Sequence, residues 1–407
     1  YNFVLTANGC TNNQTLSVTV FPTPLLSSSL SPVAVCSEVP FSYSPTFAVS
    51  GTTYSWTRAS VIGITPTSSS GNNIAVNETL INSNASTTNV TYLFNLIANG
   101  CTNQQSVLLP VLPNLTLNSV LSAPAICNGT TFTYTPSSQV SNVSFSWTRS
   151  AITGITPTSN SGTGSINEVL NNTTTAPITV SYAYTLTANG CSKTTTISVV
   201  VKPTPVLNSP LTGIVCNNAP FNYTATSATV GTTFSWTRAS VSGISNAIGS
   251  GSGAAINEVL NNTTTAPIVV NYLITLNANQ CPNTQTLAVT VNPTPSLSSS
   301  LTPPSICSAN PFSYTPTSAT LNASFTWIRV ANVNITPSPS ASSNLVPINE
   351  TLTNNTTSTV NVTYNIITTA NGCSSLTQQV VVPINPSPSL SSSLLTSQIC
   401  SNTLFNY

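Results

Sequence analysis

The chain has 407 residues with six Lys and Arg, five Glu and no Asp, His or Met, for a formal net charge of +1. General acid–base and nucleophilic catalysis need positioned carboxylates or imidazoles, so this inventory argues against an enzyme and implies no cofactor. It also lacks the clustered carboxylates of a calcium site and the basic patch of a nucleic-acid binder, and it holds no apolar run long enough to span a membrane.

In chain order, Tyr1 to Leu5 and Leu16 to Phe21 alternate apolar and polar residues around an Ala7-Asn8-Gly9-Cys10 turn, which predicts a hairpin closing a sandwich. Pro22-Thr23-Pro24 interrupts strand pairing, because proline has no N–H to donate. Beyond it, Leu25 to Val35 is Ser-rich edge material leading to Cys36, and Pro40 to Tyr43 begins a strand. Thr53 to Ser60 carries Trp56, Thr65 to Asn73 reads as loop, and Ile74 to Leu80 carries Asn77-Glu78. Val90, Tyr92, Phe94 and Leu96 then alternate toward Cys101.

The same succession returns about every 90 residues, the size of an immunoglobulin domain. Tyr54 to Arg58 recurs as Phe145 to Arg149, Phe234 to Arg238 and Phe325 to Arg329, each around a tryptophan (Trp56, Trp147, Trp236, Trp327) expected in the core. Pro203-Thr-Pro205, Pro293-Thr-Pro295 and Pro386-Ser-Pro388 mark the joints. The expected organisation is a preceding repeat's C-terminal hairpin at 1–23, repeats at 24–113, 114–203, 204–293 and 294–386, and the start of a further repeat at 387–407. Short strands without helical periodicity predict an all-β tandem array of Ig-like or PKD-like antiparallel sandwiches. The chain opens and stops in mid-pattern, so it is expected to be a segment of a longer protein, with any anchor or secretion signal elsewhere.

A period of two puts Tyr54, Trp56 and Arg58 on one face, and a guanidinium beside a buried tryptophan needs a counter-charge. The carboxylates 19 to 21 residues downstream are the candidates: Arg58 with Glu78, Arg149 with Glu168, Arg238 with Glu258 and Arg329 with Glu350. The alternatives are an exposed pair or a ligand-binding pair.

Ten periodic cysteines without histidine read as disulfides, and hence as an oxidising, extracellular setting. Two pairings compete. Within a repeat, Cys36 would join Cys101, Cys127 Cys191, Cys216 Cys281 and Cys307 Cys373, with Cys10 and Cys400 pairing outside the segment. Across a joint, Cys10 would join Cys36, and so on. The strand running away from Cys10 makes the second a poor reach and favours the first, whose loops of about 65 residues would each contribute about 4 kcal/mol.

A Val-Cys-Ser opening, a Ser-Trp-Thr strand, an Asn-Glu-x-Leu-x-Asn segment, a Thr-Tyr-x-Phe-x-Leu strand and an Asn-Gly-Cys turn before a Thr-Val-x-Pro-x-Pro joint resemble the PKD-like repeats of large Bacteroidetes surface adhesins. Those include the gliding-motility adhesin exported by type IX secretion. The chain departs from ordinary PKD domains in lacking their Asp- and Gly-rich turn after the tryptophan. The resemblance implies a cell-surface stalk or filament segment whose expected partners are neighbouring repeats, other copies in a filament, and an unspecified surface or glycan. The rival expectation is a glycan- or surface-binding array acting through variable Ser/Thr/Asn-rich loops such as Thr65 to Asn73. A third is polymerisation by strand exchange between near-identical repeats. Sequons such as Asn77-Glu-Thr79 and Asn171-Asn-Thr173 accept glycans only in a host with the machinery.

Overall fold

A computed structural model describes the chain apart from residues 340–342, 345, 394, 396, 397 and 407. Every regular element among the described residues is a β-strand, and the burial pattern gives the reason. The Trp strand Ser144–Arg149 alternates outward and inward positions. Ile178–Ala188 does the same, burying Val180, Tyr182, Tyr184 and Leu186 completely. Side chains with a period of two fill one face of a sheet and leave the other to Ser, Thr and Asn.

The chain falls into two units, Tyr1–Pro203 and Thr204–Tyr407. In the first, residues 114–203 form a five-stranded sheet in the order Ile126–Cys127, Cys191–Lys202, Ile178–Ala188, Ser144–Arg149, Asn160–Thr163. Against it lie two ribbons, Thr131–Tyr134 with Ile166–Val169 and Ile155–Thr156 with Asn171–Asn172. Phe132, Ile155 and Ile166 of the ribbons share one core with Trp147, Tyr182 and Val199 of the sheet. Residues 24–113 repeat this plan around Trp56, Tyr92 and Phe94. In the second unit, Thr212–Asn292 and Ile306–Asn385 do so around Tyr272 and Tyr364.

Among the described residues the strands pair antiparallel except the short opening strand, which runs parallel to the last strand of its own repeat: Ile126–Cys127 with Val201–Lys202, Thr212–Cys216 with Ala288–Asn292 and Ile306–Cys307 with Ile384–Asn385, with Val35 and Val111 forming a single parallel bridge at the same place in repeat 1. The long hairpins turn through Asn99-Gly100, Asn189-Gly190 and Asn371-Gly372, each with positive φ at both residues. That backbone matches the twist of the flanking strands.

Two expectations change. The stretch read as loop from Thr65 to Asn73 contains an edge strand, Ser69–Asn72, paired with Ser55–Arg58; Asn160–Thr163 and Gly249–Ser252 sit likewise. Its small residues look like loop composition, but Gly71, Gly162 and Gly251 lie opposite Trp56, Trp147 and Trp236, where a Cβ would come within 2.5 to 2.8 Å of the indole. The edge is glycine-rich because the tryptophan occupies the space. In the fourth repeat Ser343 faces Trp327, and there the ring is only partly buried. Second, Leu16 to Phe21 forms no strand. Leu16 still exchanges hydrogen bonds with Tyr1, as Val107 pairs with Tyr92 in repeat 1, but the ladder stops there.

The Ser-rich lead-in also has a defined role. The hydroxyls of Ser28, Ser119, Ser209 and Ser299 pair with those of Tyr43, Tyr134, Tyr223 and Tyr314 at 2.6 to 2.7 Å. Each bond fastens the entering segment to the core ribbon.

Replacing Gly71 by Ala forces a methyl group onto a buried indole, so repeat 1 should lose about 1–3 kcal/mol by overpacking. Thermal denaturation followed by tryptophan fluorescence checks this, with Ser70→Ala, at an exposed position of the same edge strand, as the comparison.

Candidate functional site: the buried ion pairs and the joint between repeats

Arg58 and Tyr92 are cross-strand neighbours on the large sheet, while Glu78 belongs to the facing ribbon, opposite Phe41. The guanidinium spans the two layers. Its Nε donates to Glu78 Oε2 at 2.8 Å and Nη2 to Oε1 at 3.0 Å; Nη2 also donates to the Pro66 carbonyl at 3.0 Å. The Tyr92 hydroxyl donates to the same carboxylate at 2.5 Å. Arg149, Glu168 and Tyr182 repeat the arrangement, as do Arg238, Glu258 and Tyr272. In the fourth repeat Arg329 lies 3.0 Å from Glu350, which accepts from Tyr364 at 2.5 Å. All four arginines are buried.

Burial pushes the Glu78 carboxyl up, but hydrogen bonds from Arg58, Tyr92 and Ser69 and the arginine charge more than offset it, so it lies below its ordinary value. Glu168 and Glu258 are held down likewise. The tyrosines move the opposite way: burial first, then the adjacent carboxylate, pushes Tyr92, Tyr182, Tyr272 and Tyr364 up. The first three pairs are bidentate and closed by the tyrosine hydroxyl, with the guanidinium buried, the arrangement of an internal tie between the layers. The tyrosine follows the glutamate by 14 positions in each of the four repeats, a spacing that does not by itself say that the two side chains meet.

A second buried polar group holds the end of each sandwich. Asn82 donates through Nδ2 to the Val111 and Ser86 carbonyls, and its backbone N–H donates to Ser37 Oγ, the residue after Cys36. Asn172, Asn262 and Asn354 repeat the first two bonds and bind Asn128, Asn217 and Ser308, each following the first cysteine of its repeat. The final Asn of the Asn-Glu-x-Leu-x-Asn segment therefore fixes the opening edge on which that cysteine stands.

The disulfides run between repeats. Cys36 is bonded to Cys191 and Cys216 to Cys373, with Cα–Cα distances of 5.8 and 5.7 Å. Both expected pairings are thereby corrected: Cys36 joins neither Cys101 nor Cys10, Cys191 does not join Cys127, Cys373 does not join Cys307, and Cys216 does not join Cys281. Cys10, Cys101, Cys307 and Cys400 are free thiols, whereas Cys127 and Cys281 are not. The reason is the length of the hairpin. Val35 pairs with Val111 at the far end of the strand that begins at Cys101, ten residues and about 33 Å away at about 3.3 Å per residue. A disulfide needs Cα atoms within about 7 Å, so the two cysteines of one repeat, at opposite ends of the sandwich, cannot meet. The hairpin tip of one repeat instead reaches the opening edge of the repeat before it.

Within the first unit this joint is further held by Lys193, whose Nζ lies 2.8 Å from Glu38 and donates to Asn114 Oδ1 at 2.9 Å. The pair is half-exposed and contributes under about 1 kcal/mol. Leu115, from the segment between the repeats, is buried in the core of the second repeat, and Cys36 packs against that core. In the second unit Asn292 Nδ2 donates to the Asn371 carbonyl at the hairpin tip at 2.9 Å. No group of three or more His, Cys, Asp or Glu able to hold a metal occurs among the described residues, and no helix there is long and apolar enough to cross a membrane.

Four sandwiches, joined end to end in a pair within each unit, define the class as a tandem array of immunoglobulin-like β-domains. The chain matches the PKD-like domain over residues 33–111, 124–205, 213–295 and 304–388, and it belongs to that family. Among solved structures it is similar to the I-band fragment I67–I69 of titin, at 10% identity over 67% of this chain and 99% of that one, with a TM-score of 0.32. It is similar also to Sidekick-1 immunoglobulin domains 1–4, at 9% identity over 89% and 99% with a TM-score of 0.24, and to Drosophila N-cadherin EC1–4, at 7% over 82% and 92% with a TM-score of 0.27. No curated protein sequence matches it.

Three outcomes are expected. Arg58→Ala leaves a carboxylate buried without its counter-charge and should cost repeat 1 about 3–5 kcal/mol in denaturant titration. Stability should be flat in the middle of the pH range. It should fall in acid, below about pH 4.3 where the unfolded glutamates bind protons before the depressed Glu78, Glu168 and Glu258 do. It should fall again above about pH 10, where the unfolded tyrosines ionise before the raised Tyr92 and its counterparts, as the melting temperature against pH will show. Non-reducing peptide mapping should recover Cys36 linked to Cys191 and Cys216 linked to Cys373.

Proposed function

We propose that the chain is a load-bearing segment of a cell-surface adhesin, a stalk or filament in which successive PKD-like repeats are stapled covalently to one another. The observation that carries this reading is the span of the bridges: each joins cysteines of neighbouring repeats, 155 and 157 residues apart. Tension applied at the two ends reaches Cys36, crosses to Cys191, follows the backbone to Cys216 and crosses again to Cys373. Residues 37–190 and 217–372 are outside the load path. A disulfide confined to one repeat would have left every joint exposed to the pull.

The rest of the chemistry suits such a segment. The charges are few, and the four arginines are spent inside the cores, so cohesion owes little to surface electrostatics and should tolerate changes in salt. Disulfides indicate an oxidising, extracellular location. The resemblance of the repeats to those of large Bacteroidetes surface proteins supports a bacterial adhesin of the gliding-motility type, exported by type IX secretion.

Single-molecule stretching of the whole chain tests the proposal. Under oxidising conditions the chain should resist extension, and reductant should release on the order of 500 Å for each bridge broken, as residues spanning up to about 3.6 Å each enter the load path. Sequential unfolding of all four repeats in the oxidised chain, with the same total extension as in reductant, would sink the idea.

A further inference from the structure

Of the chain's two lysines, Lys193 stands at the joint of the first unit in a closed ring of contacts. Its Nζ lies 2.8 Å from Glu38 Oε2 and donates to Asn114 Oδ1 at 2.9 Å, while Asn114 Nδ2 donates to Glu38 Oε1 at 3.1 Å. An amine, a carboxamide and a carboxylate thus touch one another, and each departs from the repeat pattern. Two places after the hairpin-tip cysteine, the other repeats carry Asn103, Asn283 and Ser375 in place of Lys193. After the first proline of the joint they carry Thr23, Thr204 and Thr294 in place of Asn114. Two places after the opening cysteine they carry Gly129, Asn218 and Ala309 in place of Glu38. The φ of Glu38 is 66°, a left-handed backbone that a glutamate seldom adopts, which points to its side chain as the reason for its presence. The joint of the second unit, with Asn218, Thr294 and Ser375, lacks both the amine and the carboxylate.

The neighbouring structure holds the three groups in place before any reaction. Glu38 and Lys193 each follow a bonded cysteine by two residues, so the Cys36–Cys191 disulfide clamps them together. The Asn114 N–H donates to the carbonyl of the buried Asn82 at 2.8 Å. Asn114 and Lys193 line a cavity of about 280 Å³ beside the disulfide, with room for ammonia to leave.

We propose that Lys193 and Asn114 join through an isopeptide bond, with Glu38 carrying the protons. The Glu38 carboxylate takes a proton from the Lys193 ammonium, and the freed lone pair attacks Cγ of Asn114 as the carbonyl electrons move onto Oδ1. Glu38 passes that proton to Nδ2 and takes a second one from the attacking nitrogen. The carbonyl re-forms, the Cγ–Nδ2 bond breaks, and ammonia leaves with the last proton from Glu38 as ammonium. One amide replaces another, so no oxidant or co-reactant is consumed. Holding amine and carboxamide in contact makes an otherwise bimolecular aminolysis unimolecular. The inference stands on this contact and holds whether or not the array bears load. In a stretched chain the bond would keep residues 115–192 out of the load path even in reductant, so the first bridge would release about half of its length.

The test is intact-mass measurement and peptide mapping of the full chain, reduced and alkylated after a week at neutral pH. The mass should fall one ammonia short of the sequence, and Lys193 and Asn114 should be recovered in one branched peptide. Lys193→Arg and Asn114→Ala should each abolish both signs. Glu38→Gln, which keeps both reacting groups, should slow formation by about 10²-fold or more. Lys193 and Asn114 recovered in separate, unmodified peptides would overturn the proposal. So would Asn114 hydrolysed to aspartate beside a free Lys193, or a bond that the Glu38→Gln chain forms as fast as the native one.

Discussion

A guanidinium cannot be buried beside a tryptophan without a counter-charge close by, and every repeat satisfies that requirement across the sandwich rather than along it. Arg58 sits on the large sheet and Glu78 on the facing ribbon, so the ion pair fixes the separation and the lateral registry of the two layers. Tyr92 completes the carboxylate's shell from the sheet side. An aliphatic core of the same volume could be as stable, but it would tolerate sliding; four buried pairs in the same register hold each sandwich to one arrangement.

From that registry follows the position of the edges. The glycines opposite the tryptophans, the serines bonded to Tyr43 and its counterparts, and the asparagines behind the first cysteines all fasten peripheral segments to a frame set by the central strands. A hairpin of two 11-residue strands then carries its turn to one end of the domain while the opening strand holds its cysteine at the other. Joining the ends of successive domains is the covalent arrangement this geometry leaves available.

The near absence of charge has a different consequence at each level. Inside, the four arginines are buried and each is paired with a carboxylate of the facing ribbon. Outside, Ser, Thr and Asn satisfy the backbone at edges and turns, and the two repeats of each unit are held together chiefly by sulfur chemistry, with one half-exposed ion pair added in the first unit.

Periodicity was legible in the residues alone. The alternation along Val90, Tyr92, Phe94 and Leu96 demands a half-buried strand, and the recurrence of Trp56 and Cys36 about every 90 residues demands tandem sandwiches. The scarcity of carboxylates left Arg58 few candidate partners in its own repeat, Glu78 among them. Tyr92 was visible as an aromatic core position, yet its hydroxyl's place at Glu78 depends on two strands meeting face to face, which no linear spacing states. The edge strand at Ser69–Asn72 was hidden because its small residues answer to a tryptophan across the ladder and not to strand propensity. The cysteine pairing was decided by tertiary structure alone: ten thiols in two interleaved periodic series admit several regular connectivities, and what selects among them is the length of a hairpin set against the reach of a disulfide.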